Sequence, residues 1–202
     1  MDTQPPITGH LILIMAPSGS GKGVLIEHLR STFPELRFAV SCTTRDPRPG
    51  EHEGDVYYFV SQEVFEERIR RGEFLEWAEF SGNRYGTLKS EILEPLARGQ
   101  VVLREVELQG IQAVSEIIPA VHRTIIYVDA GSWDALERRI TARAPISDEH
   151  LALRKARYEV ESEWKQYADV IIENHDGRVE DAKHSIESCI RDIFTKVTQQ
   201  TQ

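Results

Sequence analysis

The chain has little cysteine: Cys42 and Cys189 are the two in 202 residues. They lie far apart and lack metal-ligand spacing, so neither a disulfide scaffold nor a zinc site is expected, and two reduced thiols in the cytoplasm are. Long apolar runs are also missing. No stretch reaches transmembrane length, and the first apolar run follows a polar start unlike a signal peptide, so no membrane partner is expected. Positive charge is in deficit, with 24 Lys and Arg against 33 Asp and Glu and a formal net charge of −9. That balance excludes a general nucleic-acid binder. It does not exclude a mononucleotide, which needs only a local cluster of positive charge.

Glycine and hydroxyl residues are concentrated in Met15-Ala16-Pro17-Ser18-Gly19-Ser20-Gly21-Lys22-Gly23. The run Leu11-Ile12-Leu13-Ile14 before it has the composition of a strand buried on both faces. Val24, Leu25, His28 and Leu29 after it recur at helical spacing. Strand, small-residue loop, Lys and helix form the context of a phosphate-binding loop. Backbone N–H groups curl around an anion, the helix N-terminus adds its dipole, and Lys22 lies over the β- and γ-phosphates. Two positions depart from the pattern G-x-x-x-x-G-K-[ST]. Ala16 replaces the first Gly, and Gly23, followed by Val24, replaces the hydroxyl that touches Mg²⁺. Any Mg²⁺ must then be held through phosphates, water and carboxylates, and no direct protein ligand is assigned.

Further along, apolar strand cores alternate with helical periodicity. Strands are expected at Leu36–Val40, Val56–Val60, Glu73–Phe80, Val101–Leu103, Arg123–Val128 and Val170–Ile172, and helices at 89–97, 109–118, 133–141, 148–166 and 180–195. Ser61 and Ser147 read as N-caps. Alternation of this kind specifies an α/β fold with a parallel sheet covered on both faces. The segment from Ser41 to Glu51, with Pro47 and Pro49, reads as a loop. Residues from about 41 to 87 read as a small mixed β lobe inserted into the parallel layer.

Arg45 and Arg48 stand three residues apart on that proline-stiffened segment, and guanidinium groups match phosphate bidentately. Together with Tyr57-Tyr58-Phe59, Gly72-Glu73-Phe74-Leu75-Glu76-Trp77-Ala78 and Tyr85-Gly86-Thr87, this stretch resembles guanylate kinases, and the resemblance runs from about residue 10 to residue 175. It implies a P-loop nucleoside-monophosphate kinase fold that transfers the γ-phosphoryl of ATP to GMP, with Mg²⁺. The implied organisation is core over residues 1–40, a GMP-binding lobe over 41–88, core over 89–136, a helical lid over 137–158, and core with a C-terminal helix over 159–202.

The resemblance implies ATP-binding at Ala16, Pro17, Ser18, Gly19, Ser20, Gly21, Lys22, Gly23 and Asn174. It puts the GMP-phosphate ligands on Ser41, Arg45, Arg48, Tyr57 and Tyr85. Glu76 and Thr87 become guanine ligands. The chemistry agrees: a carboxylate accepts from both N1–H and the 2-amino group, which adenine lacks as a pair, while Thr87 can donate to O6. Glu105 and Glu107 fall where the family usually has Asp, and their longer reach alters how they meet the acceptor. The catalytic arginines of the lid fall on Arg139, Arg143 and Arg154, beside Lys22. The usual Arg-Gly-Thr there is Arg143-Ala144-Pro145. A second reading, motivated by Ala16, Gly23, Val24, Glu105, Glu107 and Ala144, is a weakened guanylate-kinase-like nucleotide- or protein-binding module; a kinase for another small molecule is a third. The retained Lys22 and lid arginines speak for the enzyme.

Overall fold

The computed structural model describes residues 6–80, 82–106 and 108–200; Ser81 and Glu107 lie outside the described residues, and so does the side chain of Arg143. Strand β1 (His10–Met15) is buried at every position and forms the middle of a five-stranded sheet. Its neighbours are β7 (Val101–Glu105) and β8 (Arg123–Asp129), with β2 (Arg37–Phe38) and β9 (Val170–Glu173) at the edges, all parallel. Both faces of β1 are covered, which is why its sequence is continuously apolar rather than alternating. Ile12 and Ile14 pack with Leu25 and Leu29 of α1 (Lys22–Thr32) and with Ile186 and Ile190 of α7 (Val179–Gln200). Leu11, Leu13 and Met15 face Ile92 and Leu96 of α3 (Lys89–Ala97) and Val114 of α4 (Leu108–Ile117).

The inserted lobe is a four-stranded sheet in the order β4-β3-β6-β5. Strand β3 (Ser41–Thr43) runs parallel to β4 (Tyr57–Phe59) and antiparallel to β6 (Asn83–Leu88), which forms a hairpin with β5 (Phe74–Phe80). The expected loop from Ser41 is therefore corrected at its start. Ser41, Cys42 and Thr43 precede both prolines, keep their N–H groups, and find ladder partners on either side. Helix α2 (Gln62–Arg70) has the predicted Ser61 cap, whose side chain accepts from the Val64 N–H. Phe65, Phe74 and Cys42 fill the small core between this helix and the lobe sheet. Glu91 of α3 ties lobe to core: its carboxylate accepts from Arg37, from the Val40 N–H and from the Tyr58 hydroxyl.

The last helices agree with the sequence apart from their ends. Helix α5 (Trp133–Arg143) runs two residues beyond the expected Thr141 and stops at Ala144, which is extended at φ −161° because Pro145 follows. Helix α6 (Asp148–Glu163) is capped by Ser147 and passes into a 3-10 turn at Trp164–Tyr167. No helix among the described residues is long and apolar enough to cross a membrane.

At the start of β1, burial pushes the His10 imidazole down from 6.5 to about 4, helped by His122 and Lys196 and opposed by Asp169. Its folded pKa lies below the unfolded one, so acid protonates the unfolded chain first. This contribution to stability is complete above pH 6.5 and is lost as pH falls towards about 4. It should reach about 3 kcal/mol. Denaturant titrations from pH 7 to 4 should show a shallower acid loss for His10→Asn than for the parent; identical slopes would mean that His10 is solvated.

Candidate active site

The phosphate loop leaves β1 at Met15 and enters α1 at Lys22. Gly19 and Gly21 take φ of +88° and +83°, a region that L side chains rarely adopt. At Gly21 the space is closed as well, because a Cβ would come within 2.4 Å of the Asn174 amide nitrogen. That amide donates to the Ser20 carbonyl at 2.7 Å from a residue only 4% exposed. Asn174 thus braces the loop from the end of β9. Gly23 is different: a Cβ there would meet nothing within 4 Å, so no packing reason requires glycine. Ala16 packs on the core beneath the loop.

Two arginines reach the loop from the helices beyond β8. Arg139 of α5 donates Nη2 to the Asn174 carbonyl at 2.8 Å and Nε to Asp176 at 2.8 Å. Hydrogen bonds from Arg139 and Arg138 hold the Asp176 carboxyl below the usual carboxylate range. Arg154 of α6 donates to Ser18 Oγ at 2.6 Å. Arg143 ends α5, and its side chain lies outside the described residues. Lys22 Nζ is 3.0 Å from Glu105 Oε2 at the C-terminal end of β7, where the Glu105 side chain is 46% exposed. Glu107, expected beside it, lies outside the described residues.

Between this end of the sheet and the lobe is a cleft of about 340 Å³. Lys22, Ser41, Tyr57, Glu76, Tyr85, Arg104 and Glu105 line it. Six of these seven were expected from the sequence, although they come from six separate elements. The Tyr57 and Tyr85 rings meet edge to face at 6.0 Å, and burial raises the Tyr57 hydroxyl above its ordinary value, with Tyr85 and Glu105 adding to it. Tyr57 therefore stays a neutral hydrogen-bond donor.

Arg45 sits over the Tyr57 ring at 5.4 Å and is held by a residue that sequence reasoning missed. Glu51 takes both arms of its guanidinium, Nη1 at 2.9 Å and Nη2 at 3.0 Å. The same carboxylate accepts from the Arg48 N–H at 2.7 Å, across the turn that Gly50 closes at φ +85°. The Arg45 hydrogen bonds, then the Arg48 one, lower the Glu51 carboxyl. The available signal was local, an acid six residues after an arginine across Pro-Gly. The Arg48 side chain is exposed, and the structure does not join it to Arg45.

Glu76 is the centre of the opposite wall. Its Oε1 accepts from Thr87 Oγ1 at 2.9 Å and from Arg104 Nη2 at 2.6 Å. Thr87 is fully buried and its one hydroxyl proton is committed to Glu76, so here it orients the carboxylate instead of presenting a donor to a ligand. Glu76 Oε2 has no protein hydrogen-bond partner among the described residues. The arrangement offers an anion site at a helix N-terminus, a second anion site of arginine and tyrosines, and a carboxylate for paired N–H donors.

The guanylate kinase family model matches residues 8–193. Guanylate kinases from a Nostoc species and from Thermosynechococcus vestitus are both 43% identical to the chain, over 171 and 176 residues. The first match covers 85% of each chain, the second 87% of this chain and 91% of the relative. The crystal structure of guanylate kinase from Anaplasma phagocytophilum superposes with a TM-score of 0.64 at 26% identity, covering 94% of this chain and 87% of that one. With its phosphate loop, inserted lobe and match along almost the entire length, the chain belongs to the guanylate kinase family.

Proposed function

We infer that the protein transfers the γ-phosphoryl of ATP to GMP, giving ADP and GDP. The observation that carries this reading is the cleft itself, with the phosphate-loop Lys22 on one wall and the Glu76 carboxylate on the other. A nucleotide with its guanine on Glu76 and its phosphate towards Arg45, Tyr57 and Tyr85 would direct that phosphate at a donor on the loop. Guanine recognition follows from chemistry: N1–H and the 2-amino group are two adjacent donors, and adenine cannot offer both.

In this reading the backbone from Ala16 to Gly23 holds the donor phosphates and Asn174 acts through the loop. Ser41 and Arg48 complete the acceptor-phosphate site. Lys22, Arg139, Arg143 and Arg154 neutralise charge on the transferring group, which is most of what such an enzyme must do. Residues 41–88 act as the GMP lobe and 137–158 as the lid. We place the protein in the cytoplasm, consistent with its free Cys42 and Cys189. The test is a coupled ADP-release assay across GMP, dGMP, AMP, CMP and UMP. Turnover confined to the guanine nucleotides is expected, and turnover with AMP at a similar rate would overturn the reading.

Magnesium fits this site only through the nucleotide and water. Among the described residues no three His, Cys, Asp or Glu cluster as a metal site, and position 23 has no hydroxyl. Glu105, half exposed beside Lys22, is the described carboxylate that could hold metal-bound water, with Glu107 as the other candidate. Bound with ATP, the ion would supply charge neutralisation on the donor phosphates. Because a Cβ at Gly23 meets nothing, Gly23→Ser should fold normally and add a hydroxyl there. Calorimetry should then find that several-fold less Mg²⁺ supports half-maximal ATP affinity. An unchanged Mg²⁺ dependence would place the ion away from residue 23.

Arg45→Ala should weaken GMP binding about 10- to 100-fold, the range for losing a charge-assisted phosphate contact. It removes a loop side chain, so the thermal midpoint should barely move. Equal GMP affinity by calorimetry would make Arg45 and Glu51 a structural pair only.

A further inference from the structure

Alternation along β7 and the residue after it turns Val102, Arg104 and Val106 to the face covered by α3 and α4, and both valines belong to the apolar cluster there. Arg104 carries a full charge in that row with its side chain only 9% exposed. Nη2 donates to Glu76 Oε1, but Nε and Nη1 are buried without a partner among the described residues. Such a residue destabilises the core, where an apolar side chain would pack without unpaired donors. What the arginine does provide is one short bond to the cleft carboxylate.

We propose that Arg104 is a positioning residue that fixes the Glu76 carboxylate for guanine. The proposal rests on the reading of Glu76 as the guanine partner. The terminal torsion of a glutamate is broad and nearly two-fold, so an unheld carboxylate offers its oxygens in many rotations. Here Thr87 on β6 and Arg104 on β7 bind the same oxygen from two different sheets. Oε1 is thereby fixed in space and Oε2 is left for the base. Arg104 is not a cap that guanine displaces, because leaving Glu76 would bury a guanidinium with no partner among the described residues. The lock is worth most to a ligand that sets two adjacent donors against the remaining oxygen together. GMP does so with N1–H and its 2-amino group, whereas inosine monophosphate lacks the amino group and has a single donor on that edge.

The experiment compares Arg104→Leu and Arg104→Lys with the parent in ADP-release assays on GMP and on inosine monophosphate. Arg104→Leu should raise KM for GMP about tenfold, with kcat and KM for ATP within about twofold of the parent. The preference for GMP over inosine monophosphate should shrink, and Arg104→Lys, which restores a charged donor, should recover part of both losses. Thermal melting checks the fold; if Arg104→Leu does not fold, Arg104→Gln should give the same split. In a folded variant, an unchanged KM and an unchanged preference overturn the proposal. So does a lowered KM, which would make Arg104 a competitor of guanine, or a fall in kcat alone. A parent that uses AMP as well as GMP would overturn the reading of Glu76 first, and the role of Arg104 with it.

Discussion

Glu76→Gln is expected to reduce kcat/KM for GMP by about 100-fold, the upper part of the range for leaving buried polar groups unmatched. Thr87 and Arg104 both donate to Oε1, so an amide oxygen would take that place. The amide nitrogen would then face guanine and set a donor against N1–H and the 2-amino group. The flipped amide is no better, since it sets NH₂ against the Arg104 guanidinium and deprives that buried charge of its counter-ion. Both orientations lose, and for reasons that do not touch the ATP side. KM for ATP should therefore stay near the parent value while KM for GMP rises. Parent-like kinetics with GMP would remove Glu76 from the site.

Lys22→Met should lower kcat about 10²- to 10³-fold, the usual loss when one group aimed at developing charge is removed. Lys22 begins α1 beside the loop and contacts Glu105 at the mouth of the cleft. Its ammonium is the described cation placed between the loop and the acceptor pocket. Methionine keeps the stem and the helix but not the charge, and it leaves Glu105 as an unopposed anion where phosphates must approach. GMP binding rests on the lobe, so KM for GMP should change far less than kcat. Steady-state rates at saturating GMP measure this directly. A kcat within a few-fold of the parent would place Lys22 off the transferring group.

The two variants separate the halves of the site. The Glu76 change acts on choice of base and the Lys22 change on transfer. Arg45 stands over the Tyr57 ring, and its pairing with Glu51 gives a reason for Arg45→Ala to weaken capture without unfolding the loop. Glu51 can orient the guanidinium before a phosphate arrives, which reduces the side-chain freedom lost on binding.

The amino-acid sequence by itself determined the parts whose physics is local. A strand buried on both faces must be continuously apolar, and glycines with positive φ must punctuate a loop that curls around an anion, so Leu11 to Gly23 is readable without coordinates. The Ser61 and Ser147 caps are local in the same way. So is the stop at Ala144, although Pro145 sets it two residues later than periodicity suggested. The resemblance carried the acceptor residues, and the cleft gathers most of them. Tertiary structure decided the rest, because strand order and register are not written in any local pattern. That Ser41 to Thr43 form a strand follows from the partners supplied by β4 and β6. That Thr87 serves Glu76, that Arg154 reaches Ser18, and that Asn174 braces Ser20 depends on which ends of which elements the fold brings together. Arg104 shows the division most clearly. Its charge in an apolar row is visible in the sequence, but its partner is 28 residues away on another sheet, and only packing brings them together.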